Sequence, residues 1–330
     1  MYYDLSKILS YNAFLNFIIA ERGVGKTFSA SDFVTKKFIQ KSDEFAYIRR
    51  YKSELKKSVP DFFKALIKEG KHKNHKLETK GDKFYIDDKI AGYGMTLSTA
   101  HNLKSANFSN VKYIIVDEFI IEEGQGHYLK NEVENFLGLI ETIARMRDVV
   151  ILMLGNAVTI ANPYFMFFDI NIPYNSDIKT YKDGLILVNY VKNEVYREAK
   201  KKTRFGKLVE GTEYSSYAID NQFRLDNKNF IEKKTGSSKY SFGFKYKNNI
   251  YGVWFDFSVG KIFVSNDYQD SGGLFACTLD DHTPNTMLLS VAKNYNVWKT
   301  FIKNYKLGNV YYENQKIKQN VKDLVKLFTK

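Results

Sequence analysis

The stretch Leu15 to Phe28, LNFIIAERGVGKTF, constrains this chain more than any other. An apolar run breaks into a turn containing Gly23 and Gly25, and Lys26-Thr27 follow at once. A short apolar run that stops at a turn signal reads as a buried parallel strand, here Leu15 to Ala20. Glycine lets the backbone curl until successive N–H groups face one anion, and a helix opening near Gly25 adds its positive end. In that geometry Lys26 reaches the β- and γ-phosphates of a nucleotide, and the Thr27 hydroxyl reaches Mg²⁺. The cradle then comprises Arg22, Gly23, Val24, Gly25, Lys26, Thr27 and Phe28, with ATP and Mg²⁺ as the expected cofactors. Ala20 stands where the pattern G-x-x-x-x-G-K-[ST] usually has its first glycine, and a plain strand-to-helix turn with a surface lysine is the alternative.

The order of elements downstream repeats this logic. Ser29 to Gln40 continues as a helix, and Glu44 to Arg50 has the aromatic and β-branched content of a strand. Arg49, Arg50 and Lys52 follow at its C-terminal end, where open α/β sheets place ligands; they face phosphate, a neighbouring subunit or solvent. Ser53 to Glu69 reads as helix, and Lys71 to Lys80 as a polar connector. Phe84 to Tyr93 reads as a hairpin turning at Asp87-Asp88, residues that suit a tight turn better than a metal site. Val111 to Val116 is a second strongly apolar strand, ending in Asp117-Glu118. After an upstream phosphate loop, an acid in that place holds Mg²⁺, which assigns Asp117, and its neighbour Glu118 orients and deprotonates the attacking water. The pair could instead cap a helix.

Asn131 to Asp148 has Val133, Phe136, Leu137, Ile140, Ile143 and Ala144 at helical spacing, and strand Val149 to Leu154 comes next. Arg145 and Arg147 at the helix end either complement the helix dipole or supply an arginine finger to the γ-phosphate. Asn156, just past the strand, is either a turn residue or a sensor of the γ-phosphate and its water.

Composition narrows the setting. A chain of 330 residues with 44% hydrophobic content suggests two domains with cores of their own. Its formal charge of +13 points to a polyanionic partner, and residues 227–330 carry about two basic residues for each acidic one. Cys277 is the only cysteine, so no intrachain disulfide forms, and the five histidines show no zinc spacing. No run reaches the length of a membrane span, so a soluble intracellular protein with no membrane partner is expected.

The segments AERGVGKTF, FAYIRRYKSEL, VKYIIVDEF, ARMRD, LGNAVTIANPYF, KKTRFGKLVEGTEY and DNQF together resemble the phi29-type DNA packaging ATPases, the encapsidation proteins of small tailed phages. The resemblance implies an α/β P-loop ATPase domain of the ASCE class with a parallel central sheet (1–197), a small linker domain (198–226) and an α+β, RNase H-like domain that has lost nuclease activity (227–330). It makes Lys26 and Thr27 the Walker A pair, Asp117 and Glu118 the Walker B pair, Arg145 a finger acting in trans and Asn156 the sensor. Arg22 matches the basic residue inside the family's loop. It also implies partners: double-stranded DNA, the portal of a procapsid, a homomeric ring that is a pentamer in this family, and a possible scaffold RNA. The setting is the host cytoplasm, at the procapsid portal vertex.

The C-terminal third reads independently as a hairpin, Tyr240 to Tyr246 and Ile250 to Phe257 around Lys247-Asn248-Asn249. Strands at Lys261 to Ser265 and Leu274 to Leu279 and helices at Asn294 to Leu307 and Gln315 to Phe328 follow. Asp256, Asp280, Asp281, Glu313 and Asp323 are available for a two-metal nuclease, but most fall at turns or on a Lys-rich helix. Lys316, Lys318, Lys322 and Lys326 form either a nucleic-acid platform or a solvated face. The loop Ile120 to Tyr128 is a candidate for a DNA pore, against which Glu122 and Glu123 count. A helicase of the same superfamily and an ATP-switched adaptor for portal or RNA are the competing functions.

Overall fold

Strand β1 (Leu15–Ile19) is buried at every position, because it lies in the middle of a sheet covered on both faces. The computed structural model describes residues 2–103, 107–121, 127–156, 162–170, 177–191, 194–212, 229–292 and 295–328. Contacts divide the chain into two units, residues 1–225 and 226–330.

In the first unit β1 leads into α2 (Lys26–Lys41), which follows a short α1 (Ser6–Leu9). Then come β2 (Glu44–Arg49), α3 (Lys52–Ser58), α4 (Lys64–Lys68), β3 (Leu77–Lys80), β4 (Lys83–Ile86) and β5 (Lys89–Thr96). After these run β6 (Val111–Asp117), α5 (Glu132–Ala144), β7 (Val150–Gly155), α6 (Pro163–Phe167), β8 (Ile178–Tyr181), β9 (Ile186–Tyr190), α7 (Glu194–Lys201) and α8 (Arg204–Val209). The nine strands lie in the order β3-β4-β5-β2-β6-β7-β1-β9-β8. From β5 to β9 every pairing is parallel, and antiparallel hairpins close both edges. Side chains alternate along the strands, so Phe17 and Ile19 join Phe136, Ile140 and Tyr164 on one face, while Ile18 joins Val34, Phe62 and Leu66 on the other.

Several local readings shift. The helix expected over Ser53 to Glu69 breaks into α3, a 3₁₀ turn (Val59–Asp61) and α4, because Pro60 has no N–H to continue it. The polar connector contains β3, a half-buried edge strand without apolar alternation. Helix α5 stops at Arg145, whose φ of 52° leaves the helical region; Leu137 points outward and Leu139 is buried instead. The turn at Asp87-Asp88 is present, with both residues at positive φ and Ile86 paired to Lys89.

The second unit holds β10 (Lys239–Tyr246), β11 (Asn249–Asp256), β12 (Lys261–Ser265), β13 (Leu274–Ala276), β14 (Met287–Leu288) and β15 (Val310–Tyr312), with α9 (Leu289–Ala292), α10 (Asn296–Lys306) and α11 (Gln315–Phe328). Its sheet order is β14-β13-β10-β11-β12-β15. The β10–β11 hairpin turns at Lys247 and Asn248, both at positive φ, the two-residue turn that matches strand twist. Ile317, Val321 and Leu324 of α11 and Trp298 and Phe301 of α10 close its core. The segment DNQF and residues 213–226 of the expected linker lie outside the described residues, as do residues 122–126 of the pore candidate.

Candidate nucleotide-binding site

The loop between β1 and α2 is shaped by two glycines. Gly23 and Gly25 have φ of 91° and 85°, which side-chain-bearing residues adopt only with strain. A β-carbon on Gly23 would lie 2.5 Å from the Tyr196 hydroxyl oxygen, and one on Gly25 would lie 2.5 Å from the Tyr2 ring. Ala20 is buried and has no positive φ, so the departure from the usual glycine leaves the loop's backbone unstrained. Val24 is buried, and its carbonyl accepts from Tyr3 N.

Lys26 opens α2 with its ammonium inside the loop, donating to the carbonyls of Ala20 and Glu21 at 3.0 Å each and to Asn156 Oδ1 at 2.9 Å. The Thr27 hydroxyl lies 3.3 Å from both Asp117 carboxylate oxygens. Adjacent oxygens around an octahedral Mg²⁺ with bonds near 2.1 Å stand about 3.0 Å apart, so Thr27 and Asp117 fit such an ion directly or with one through water. A cavity of about 220 Å³ is lined by Arg22, Gly23, Gly25 and Lys26 on one side and Asp117, Glu118 and Asn156 on the other. Strand order explains the convergence: β7 lies between β1 and β6, so the loop after β1, Asn156 after β7 and the acids ending β6 share one edge of the sheet.

Arg49 ends β2 beside these acids and Arg50 follows it, and the two side chains go separate ways. Arg49 is buried, 3.3 Å from Asp117, 2.5 Å from Glu118 and 3.7 Å from Glu54. Burial works against its charge, yet Asp117 and the neighbouring groups outweigh burial and raise its pKa. Burial likewise pushes the Asp117 carboxyl above its ordinary range, against the pull of Arg49, and the Tyr47 hydroxyl donates to it at 3.0 Å. Glu118 is half exposed at φ 59°, with its carboxylate held by Arg49. Arg50 instead makes a buried pair with Glu132, Nε 2.9 Å from both oxygens, and donates to the carbonyls of Glu118 and Phe119. It fastens the backbone after β6 to the start of α5.

The finger candidates lie elsewhere. Arg147 donates to the carbonyls of Ser109, Val111, Phe108 and Ile143, which ties the end of α5 to the start of β6 and occupies its guanidinium structurally. Arg145 is exposed on the same turn, beside a fully exposed Met146. Helix α5 begins at Glu132, which Arg50 ties to the backbone after β6, and its 13 residues span about 20 Å, so Arg145 lies at the far end of that helix from the acids. Sequence reasoning did not single out Tyr47 or assign Arg49 to the acids; the basic strand end was visible, but the direction of each side chain was not.

In the second unit the carboxylates are dispersed. Asp256 accepts from Ser258, Ser237 and Thr235; Asp281 accepts from the backbone N–H groups of Lys247 and Asn248; Glu313 accepts from Asn266 N; and Asp323 accepts from Gln319. Among the described residues no three His, Cys, Asp or Glu side chains converge as a metal site. Of the helix lysines, Lys318 donates to the Asn229 carbonyl, and Lys322 and Lys326 are exposed.

An open, largely parallel sheet, a glycine-shaped loop and helix after β1, and an acidic pair two strands away make this a mixed α/β fold whose first loop has the form of a phosphate cradle. The family model described as Podovirus DNA encapsidation protein (Gp16) matches residues 1–329, and the chain belongs to that family, whose work is viral DNA packaging. The DNA packaging protein of Bacillus phage phi29 is 36% identical over 320 residues, 96% of this chain and 95% of that one. The DNA packaging protein of Bacillus phage PZA is 37% identical over the same length. Among solved structures, a chain of the bacteriophage phi29 viral genome packaging motor assembly superposes with a TM-score of 0.82 at 35% identity, covering 98% of both chains. The N-terminal domain of the phi29 DNA packaging ATPase gives 0.54 at 38% identity, over 58% of this chain and 97% of that one.

Proposed function

We propose that the chain is an ATP-driven motor, assembled as a homomeric ring on the portal of a procapsid in the host cytoplasm, that moves double-stranded DNA inward. The observation that carries this reading is the meeting of Lys26, Thr27, Asp117, Glu118 and Asn156 at one sheet edge. Residues 22–28 bind the phosphates through backbone N–H groups and the Lys26 ammonium. Thr27 and Asp117 would hold Mg²⁺, which would supply charge neutralisation on the phosphates. Glu118 takes the proton of the attacking water once its carboxylate leaves Arg49, and Asn156, already on Lys26, orients that water or the γ-phosphate. Arg145, too far from its own pocket, stabilises charge on a neighbour's γ-phosphate.

Ring assembly is supported by the likeness to a chain of the phi29 motor assembly; a pentamer and a scaffold RNA belong to the same proposal. For the C-terminal unit we propose an RNase H-like fold without nuclease activity. Its antiparallel run β12-β11-β10, continued by parallel β13 and β14, supports the fold, and the dispersal of its carboxylates supports the loss of cleavage. Residues 1–197, 198–226 and 227–330 remain the proposed domains. A motor must accept every sequence, so its grip on DNA should be mostly to phosphate and weaken steeply with salt.

The discriminating experiment gives assembled motor and procapsid a duplex with one labelled strand. Packaging carries both strands in paired, whereas release of the labelled strand would favour a helicase.

A further inference from the structure

Helix α7 touches the back of the phosphate loop through three side chains. Arg197 Nε donates to Glu21 Oε1 at 2.7 Å, and the Tyr196 hydroxyl and the Lys200 ammonium donate to the Arg22 carbonyl at 3.1 and 3.2 Å. Tyr196 is also the residue that a β-carbon on Gly23 would strike. Glu21 is 1% exposed, and its second carboxylate oxygen finds no hydrogen-bond partner among the described residues. A buried carboxylate resting on one ion pair depends strongly on it, because removing the partner leaves an uncompensated charge. The same residue meets the loop lysine through its backbone, since the Glu21 carbonyl accepts from Lys26. Glu21 therefore ties the lysine of the cradle to a helix that takes no part in the chemistry.

We propose that α7 is a clamp on the phosphate loop. Arg197, Tyr196 and Lys200 are positioning residues that hold residues 21–23 in the nucleotide-binding form. Nucleotide affinity and the seating of α7 are then linked, and the linkage is reciprocal: what loosens the helix weakens binding, and bound nucleotide tightens the helix. This inference rests on residues 22–28 being the phosphate cradle.

The test uses the full chain, a fluorescent ADP analogue, steady-state ATPase kinetics and hydrogen exchange of residues 194–201 with and without ADP. Arg197→Ala should weaken ADP binding and raise KM by about tenfold or more while kcat changes less, and ADP should slow exchange in α7 of the parent. Glu21→Gln combined with Arg197→Ala should recover only part of the lost affinity, because the unpaired charge is gone while the tie to α7 is still missing; full recovery would count against the clamp. Tyr196→Phe keeps the ring and loses one donor, so a smaller loss is expected, and it decides the matter with the exchange data if Arg197→Ala fails to fold. The clamp is overturned if the α7 variants bind ADP as the parent does and ADP leaves α7 exchange unchanged while Lys26→Ala abolishes binding. Parental binding by Lys26→Ala would overturn the cradle itself, and the clamp with it.

Discussion

Arg145→Ala and Glu118→Gln offer a test of action between subunits, because on the proposed arrangement each would remove half of one composite site. Helix α5 separates Arg145 from its own acidic edge by 13 residues, about 20 Å at 1.5 Å per residue, further than an arginine side chain reaches. An arginine finger accounts for roughly 10³–10⁵ in turnover, so Arg145→Ala alone should hydrolyse ATP near background while binding it almost normally. Glu118→Gln keeps its shape but cannot take a proton, and should be similarly slow. Mixed in equal amounts in a closed head-to-tail ring, about one interface in four joins an intact Glu118 to a neighbour's intact Arg145. ATPase activity should therefore return to about a quarter of the parental rate if interfaces fire independently, and less if they fire only in sequence. The assay is steady-state phosphate release across mixing ratios, with native gels confirming mixed rings. If mixed rings form and no ratio restores activity, Arg145 does not act in trans.

Two further outcomes follow from buried charge. Arg50→Ala leaves Glu132 unpaired in the core and should lower the unfolding free energy by about 3–5 kcal/mol in urea; a loss below about 1 kcal/mol would remove Arg50 as the tie between β2 and α5. The Ser258 and Thr235 hydroxyls, with Ser237, hold the Asp256 carboxyl well below the ordinary range. A depressed carboxylate pKa contributes stability that is present above the unfolded value and lost as pH falls through the folded one. Asp256→Asn should thus be less stable at neutral pH and lose less stability than the parent on acidification below about pH 4, by thermal unfolding; parallel pH curves would contradict this.

Strands β1 and β6 and the loop between β1 and α2 were legible because burial on both faces demands continuous apolar runs and the phosphate turn demands glycine. Strand β9 was legible too, since Asp183-Gly184 between IKTY and ILVNY is a hairpin signal, and it was passed over. The separate fates of Arg49 and Arg50 required the strand's register, which decides the face each side chain takes. No spacing rule joins Glu21 to Arg197, 176 residues apart, because that contact exists only once β1, β9 and α7 have packed. Likewise Arg147 and Arg145 look alike in ARMRD, and only the carbonyls of residues 108–111 tell the structural arginine from the exposed one.

On the proposed function, hydrolysis at the site formed by Lys26, Thr27, Asp117 and Glu118 drives DNA into the capsid. Its most direct measurement is DNA protected from nuclease after incubation of purified procapsids, the chain, duplex DNA, ATP and Mg²⁺, comparing the parent with Glu118→Gln. The parent should protect full-length DNA only when ATP is present, and Glu118→Gln, still binding ATP, should protect none. Full protection by Glu118→Gln at the parental rate would mean that packaging is powered by chemistry at another site.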